Sequence, residues 1–143
     1  MDDVRRLSSQ ELVQIYEHTK TIAVVGASAD EAKVANAIPS YLQSKGYQII
    51  PVNPRGGEIF GQRVYPSLAD IKVPVDVVEV FRPPAEAETI ARQAIEIGAT
   101  VLWFQPGTHT DQAARLAAAA GLTVVTDRCM GATHAQLVTP REP

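Results

Sequence analysis

Short apolar runs alternate with helical stretches along almost the whole chain, and this alternation restricts the fold more than any other feature. Thr21–Gly26 (TIAVVG) is a continuous apolar run closed by glycine. A run of that kind needs cover on both faces, as a strand inside a parallel sheet has. Similar runs recur at Tyr47–Val52 (YQIIPV), Asp76–Phe81 (DVVEVF), Thr100–Phe104 (TVLWF) and Leu122–Thr126 (LTVVT). Helical patterns separate them. One covers Ala32–Lys45 and is closed by Gly46; one covers Pro84–Ile97, with Gly98 just past its end; one covers Thr110–Ala120 and is closed by Gly121. Pro39 removes a hydrogen bond from the first of these and predicts a kink or a late helix start. Strand, helix, strand, repeated, predicts a three-layer α/β fold around a five-stranded parallel sheet with right-handed crossovers.

The 143 residues fit a single domain, 1–143. Residues 1–20 form a lead-in, with a helix over Ser9–His18 capped by Ser8 or Ser9, and residues 139–143 form a tail. A net charge of −3 gives no reason to expect nucleic acid or an anionic membrane as partner, so any bound anion must be held by a few placed groups. The single cysteine, Cys129, rules out a disulfide framework within the chain and points to a reducing compartment. The charged N-terminus lacks the apolar core of a signal peptide, and no apolar run reaches the ~18–20 residues of a membrane span. A soluble, cytoplasmic protein is the expectation.

In an open parallel sheet ligands bind beyond the carboxyl ends of the strands, so the residues that follow each strand are the candidates for function. The first strand ends in Gly26-Ala27-Ser28, where a sharp turn leads into the amide-rich start of the next helix. The alternative is a plain turn in which Ser28 caps the helix. The GxGxxG fingerprint is absent, and the second strand ends in Val52-Asn53-Pro54-Arg55 rather than in the acid that a nicotinamide ribose needs. Arg55 suits a ligand with an extra phosphate on its ribose, either NADP or coenzyme A. The third strand ends in Val80-Phe81-Arg82-Pro83-Pro84, where Phe81 offers a ring for adenine and Arg82 a phosphate partner. Gln105 and Gly107 follow the fourth strand, and Arg128 follows the fifth. Arg55, Arg82 and Arg128 therefore leave three different strands at the same rim, on a chain of net negative charge.

The ordered set GAS, VNPR, VFRPP, WFQPG and DRCM…H, each at its own strand end, resembles the small stand-alone coenzyme A-binding proteins. Their fold is Rossmann-like, similar to the coenzyme A-binding domain of the succinyl-coenzyme A synthetase α subunit. The resemblance spans about Thr21 to Leu137. It implies that Gly26, Ala27 and Ser28 cradle the pyrophosphate. It implies that Val52, Asn53, Pro54 and Arg55 line the adenosine side, with Arg55 near the 3′-phosphate. Val80, Phe81 and Arg82 would hold the adenine and phosphates, Gln105 and Gly107 would follow the pantetheine path, and Arg128 would close the far side. The sequence departs from many relatives after Ser28, where Ala29-Asp30-Glu31-Ala32-Lys33 carries two acids and retains Lys33 as its basic residue.

The synthetase resemblance places the phosphorylated histidine and the nucleotide-binding subunit outside this domain. Among His18, His109 and His134, His109 falls near the crevice and His134 on a C-terminal helix in a structural role. No Ser-His-Asp order or metal-binding spacing such as HExxH or paired CxxC occurs. Cys129 beside Arg128 is the one reactive candidate, for a mixed disulfide with the coenzyme A thiol; the alternative is an inert buried thiol. These observations favour a module that binds coenzyme A or acyl-coenzyme A as a carrier, sensor or regulator without chemistry of its own. Two other readings remain: a small NADP-dependent or acyl-coenzyme A-handling enzyme, and an interaction module with an empty crevice. A homodimer is common at this size, but no segment specifies its interface or another protein partner.

Overall fold

A computed structural model describes residues 4–138 and follows the predicted alternation. Helix α1 (Ser9–His18) begins with a capping box in which the Ser8 hydroxyl accepts from Glu11 N–H and the Glu11 carboxylate accepts from Ser8 N–H. Then follow β1 (Thr21–Val25), α2 (Val34–Ser44), β2 (Gln48–Val52), a hairpin of β3 (Glu58–Ile59) and β4 (Gln62–Arg63), β5 (Val77–Val80), α3 (Ala87–Glu96), β6 (Val101–Phe104), α4 (Asp111–Ala119), β7 (Thr123–Val125) and α5 (Met130–Leu137). The tail at 139–143 lies outside the described residues.

The main sheet has five strands in the order β2-β1-β5-β6-β7, and every pairing is parallel. The chain runs one way from β1 to β2 and the other way from β1 to β5. That reversal opens a crevice beyond the carboxyl ends of β1 and β5. Strand alternation divides the core in two. Ala23, Val25, Val78, Val80, Leu102 and Phe104 pack under α3 and α4, whose facing sides are nearly all alanine. Ile22, Val24, Val77, Val101 and Trp103 pack under α1, α2 and α5. Helix α5 is tied to the sheet by polar side chains. Gln105 Oε1 accepts from Met130 N–H at 2.8 Å, Tyr16 donates to the Met130 carbonyl at 2.7 Å, and Trp103 Nε1 donates to the Arg128 carbonyl at 2.9 Å.

Three details differ from the sequence expectation. Helix α2 starts at Val34 rather than Ala32, because the loop before it is closed by an Asp30 turn. Pro84–Glu86 is a 3₁₀ turn leading into α3. The hairpin after β2 has no counterpart in the apolar pattern of the sequence. Its turn, Phe60-Gly61, has positive φ at both positions (58° and 70°), as the tight hairpin turn requires. That turn usually advertises itself with Asn-Gly or Asp-Gly. Here Phe60 accepts the strain while its ring packs on the α1/α2/α5 core and its carbonyl accepts from Gln43.

One core residue breaks the apolar pattern. Glu79, paired in register with Val24 and Trp103, is fully buried, and neither carboxylate oxygen has a partner among the described residues. Burial pushes its carboxyl up to about 8. The unfolded chain ionises this group near 4.5, so folding takes up a proton between those values. The stability it supports is complete below pH ~4.5 and is lost progressively as pH rises to ~8. His134, whose imidazole is held below its ordinary range by burial, acts with the opposite sign on the acid side. The comparison of wild type with Glu79→Gln isolates the carboxyl. Thermal melts from pH 5 to pH 8.5 should show wild type losing about 5–10 °C more than the variant. Parallel curves would show that Glu79 is ionised in the fold.

Candidate functional site

A cleft of about 980 Å³ lies beyond the carboxyl ends of β1, β2 and β5, within the size range of small-molecule sites. A second hollow, about 360 Å³, sits at the amino ends of β5, β6 and β7 under α1 and lacks any glycine turn.

The floor of the cleft is the turn after β1. Gly26 has φ 92°, and its N–H donates to the Val52 carbonyl at 2.9 Å. A Cβ there would stand 2.8 Å from Arg82 Cδ, so the glycine serves both the turn and the close approach of that side chain. The peptide units that follow are held from two sides. Asn53 Nδ2 donates to the Ala27 carbonyl at 2.9 Å, and Asn36 Nδ2 donates to the Ser28 carbonyl at 2.8 Å. Ser28 N–H reaches the Ala35 carbonyl at 3.3 Å. That carbonyl is free because the residue four positions on is Pro39, which has no N–H. The proline that seemed a liability in the helix thus supplies an acceptor to the loop. The N–H groups of Ala27 and Ala29 find no partner among the described residues, and no side chain caps α2 at Lys33. These donors lie in the loop before Lys33, the N-cap of α2, rather than at the helix start that the sequence suggests, and free amides in such a loop are an arrangement that anions use.

The acids of this loop lie outside the cleft. Asp30 Oδ1 accepts from Ala32 N–H at 2.9 Å, and neither Asp30 nor Glu31 lines the cleft. Ser28 Oγ accepts from Asp30 N–H at 3.0 Å, which leaves its hydroxyl proton for a ligand.

Three cations face the space: Lys33 from the α2 entry, Arg55 from the loop after β2, and Arg82 from the loop after β5. Asn53 orders the second loop, its Oδ1 accepting from Arg55 N–H at 2.9 Å while its backbone N–H donates to the Tyr65 carbonyl. Arg82 makes a forked pair with Glu86, which raises the guanidinium pKa and lowers that of the carboxyl. Glu58 and Glu86 also line the cleft, so its formal balance is three cations against two carboxylates, +1.

The structure brings together Gly26, Ala27, Ser28, Lys33, Val52, Asn53, Pro54, Arg55, Phe81 and Arg82. It places the other candidates elsewhere. Val80 is buried in the sheet under α3 and α4. Gln105 is buried and spends its carbonyl on Met130 N–H. Gly107 is exposed on the loop after β6, and Arg128 lies beside the N-terminal segment at Val4–Leu7. Cys129 is the N-cap of α5 and does not line the cleft. His134 is buried, hydrogen-bonded to the Tyr41 hydroxyl at 2.9 Å and ringed by Tyr16, Tyr41 and Tyr47, as its structural reading expected.

Sequence reasoning missed the outer walls. One is the hairpin side, with Ile59, Pro66 and Ser67; the other is the α3 side, with Ala85, Thr89 and Gln93. The four-residue spacing of the second group was a visible sign of one helix face. The hairpin side carried no such sign, because its pairing depends on the Phe60-Gly61 turn.

Comparison with known proteins gives the same answer from a different direction. A family model described as CoA binding domain matches residues 20–135. The uncharacterized protein YneT of Bacillus subtilis is 35% identical over 128 residues, covering 90% of this chain and 95% of that protein. An acetate–CoA ligase (ADP-forming) of Methanocaldococcus jannaschii is 36% identical over 66 residues, 46% of this chain but only 9% of the ligase. A hypothetical protein from Pyrococcus horikoshii OT3 superposes with a TM-score of 0.90 at 38% identity, covering 96% of this chain and 99% of that one. The glycine turn, the parallel sheet and the matched span lead to one conclusion: this chain belongs to the CoA-binding domain family.

Proposed function

We propose that the chain binds coenzyme A or an acyl-coenzyme A in the cleft beyond β1, β2 and β5, and that it acts as a carrier, sensor or regulatory module without bond-breaking chemistry of its own. One observation carries the reading: Lys33, Arg55 and Arg82, from three separate loops, face a single cleft floored by a glycine turn with unpaired amides. Coenzyme A offers a pyrophosphate and a ribose phosphate, two anionic groups set apart, and the cations of this cleft come from three separate loops. Arg55, on the Asn53-ordered loop after β2, is suited to the ribose phosphate; Ser28, Lys33 and Arg82 are suited to the pyrophosphate. The ligand's adenine would lie against half-buried Phe81, and its pantetheine arm along the cleft walls.

The non-catalytic part of the reading rests on the cleft's chemistry. Its cationic lining residues, Lys33, Arg55 and Arg82, are suited to holding anions, and Glu58 and Glu86 offset part of that charge. Histidine and cysteine, the usual proton carrier and nucleophile, are not among the lining residues.

Calorimetric titration with coenzyme A should give micromolar affinity, with NADP much weaker. Arg55→Ala should lower coenzyme A affinity about tenfold, the loss of one charge-assisted contact, and leave the melting temperature unchanged. No heat with coenzyme A under any salt condition would overturn the reading. Gly26→Ala should act on fold and site together. It forces an L-residue to φ 92° against Arg82 and should cost ~1–3 kcal/mol of stability, measured by denaturant unfolding.

A further inference from the structure

We propose that Glu86 sets the affinity of this cleft for anionic ligands by holding the Arg82 guanidinium, so that a ligand phosphate must displace a carboxylate to reach it. The inference rests on the coenzyme A reading and adds a tuning residue that the reading itself does not require.

Both side chains line the cleft, four residues apart at the start of the α3 segment. Arg82 Nε lies 3.1 and 3.2 Å from the two Glu86 carboxylate oxygens, and Nη2 lies 2.7 Å from one of them. This is the fork-on-fork geometry in which a guanidinium grips a carboxylate or a phosphate, and it uses the same donors for either. The stem of Arg82 has little freedom to offer both at once. Its Cδ and Cγ pack against Gly26 at the floor of the cleft, where even a methyl group would not fit. The guanidinium is thereby presented over the turn after β1, already occupied. The other two cleft cations differ: Lys33 and Arg55 have no carboxylate within 4 Å among the described residues.

The pair is also displaceable. The two side chains are 44% and 45% exposed, and ion pairs in such positions contribute little, so a phosphate can win the competition. Glu86 then acts as a brake of limited strength. It keeps an unpaired guanidinium off the cleft wall and discriminates against weak monoanions that cannot displace it. It lowers the affinity for a multiply charged phosphate ligand by about two- to fivefold.

Calorimetric titration of coenzyme A into wild type, Glu86→Gln, Arg82→Ala and the double variant tests this, with thermal melts to verify that each is folded. Glu86→Gln should tighten binding two- to fivefold, and Glu86→Ala should move it in the same direction. In the Arg82→Ala background the gain from Glu86→Gln should vanish, because there is no guanidinium left to release. If wild type binds coenzyme A and Glu86→Gln binds no more tightly, the brake is refuted while the coenzyme A reading stands. A gain that persists without Arg82 refutes it too, since the carboxylate then acts by bare repulsion. Silence of both wild type and Glu86→Gln overturns the coenzyme A reading and the brake with it.

Discussion

The Asn53 side-chain amide, donating to the Ala27 carbonyl across 26 residues of sequence, sets the geometry on which the cleft depends. It joins the end of β2 to the turn that ends β1, and its Oδ1 orders the loop that carries Arg55. The turn is pinned on its other side by α2, through Asn36 and through the Ala35 carbonyl that Pro39 leaves free. A glycine turn alone is permissive and samples many conformations. These bonds select one of them. The amides of Ala27 and Ala29 are left unpaired by the same arrangement, so rigidity and anion-binding capacity come from a single set of contacts.

The face opposite α3 and α4 shows a different balance. There the sheet is covered by α1, α2 and α5, and the contact is partly polar. Gln105, Trp103 and Tyr16 fasten α5 through its backbone near Arg128–Met130, and Gly131 lets α5 approach Ile38 and Tyr41 closely. Buried hydrogen bonds of this kind specify one docking of a helix whose apolar contacts alone would tolerate several. Glu79 sits under the same face without a partner among the described residues, and burial favours its protonated form.

The family match covers residues 20–135, nearly the whole of this chain. The acetate–CoA ligase of Methanocaldococcus jannaschii shares only 9% of its length with this chain, whereas YneT shares 95% of its own. The cleft combines cations on separate loops, an ordered glycine turn, and carboxylates that temper the charge. A net balance of only +1 gives the cleft little bulk charge, so the placement of the individual cations matters more than their sum.

Much of the architecture was legible from local pattern. Each continuous apolar run became a strand of the parallel sheet, the glycines after the helices closed them, and the residues after β1, β2 and β5 became the cleft. These features depend on periodicity and on the backbone needs of single residues, both of which are written within a few positions. What lies farther apart was decided only by the tertiary structure. The strand order gathered the candidates after β1, β2 and β5 into one cleft and left Gln105, Gly107 and Arg128 outside its lining. Gln105 turned inward because Met130 N–H, 25 residues on, needed an acceptor. Asp30 left the cleft because a loop amide claimed it, and Glu31 does not line the cleft either. The hairpin formed although Phe60 is a poor turn residue, since packing compensated its strain. Local pattern determines which elements form; the partner that a polar side chain finds depends on what folding brings beside it.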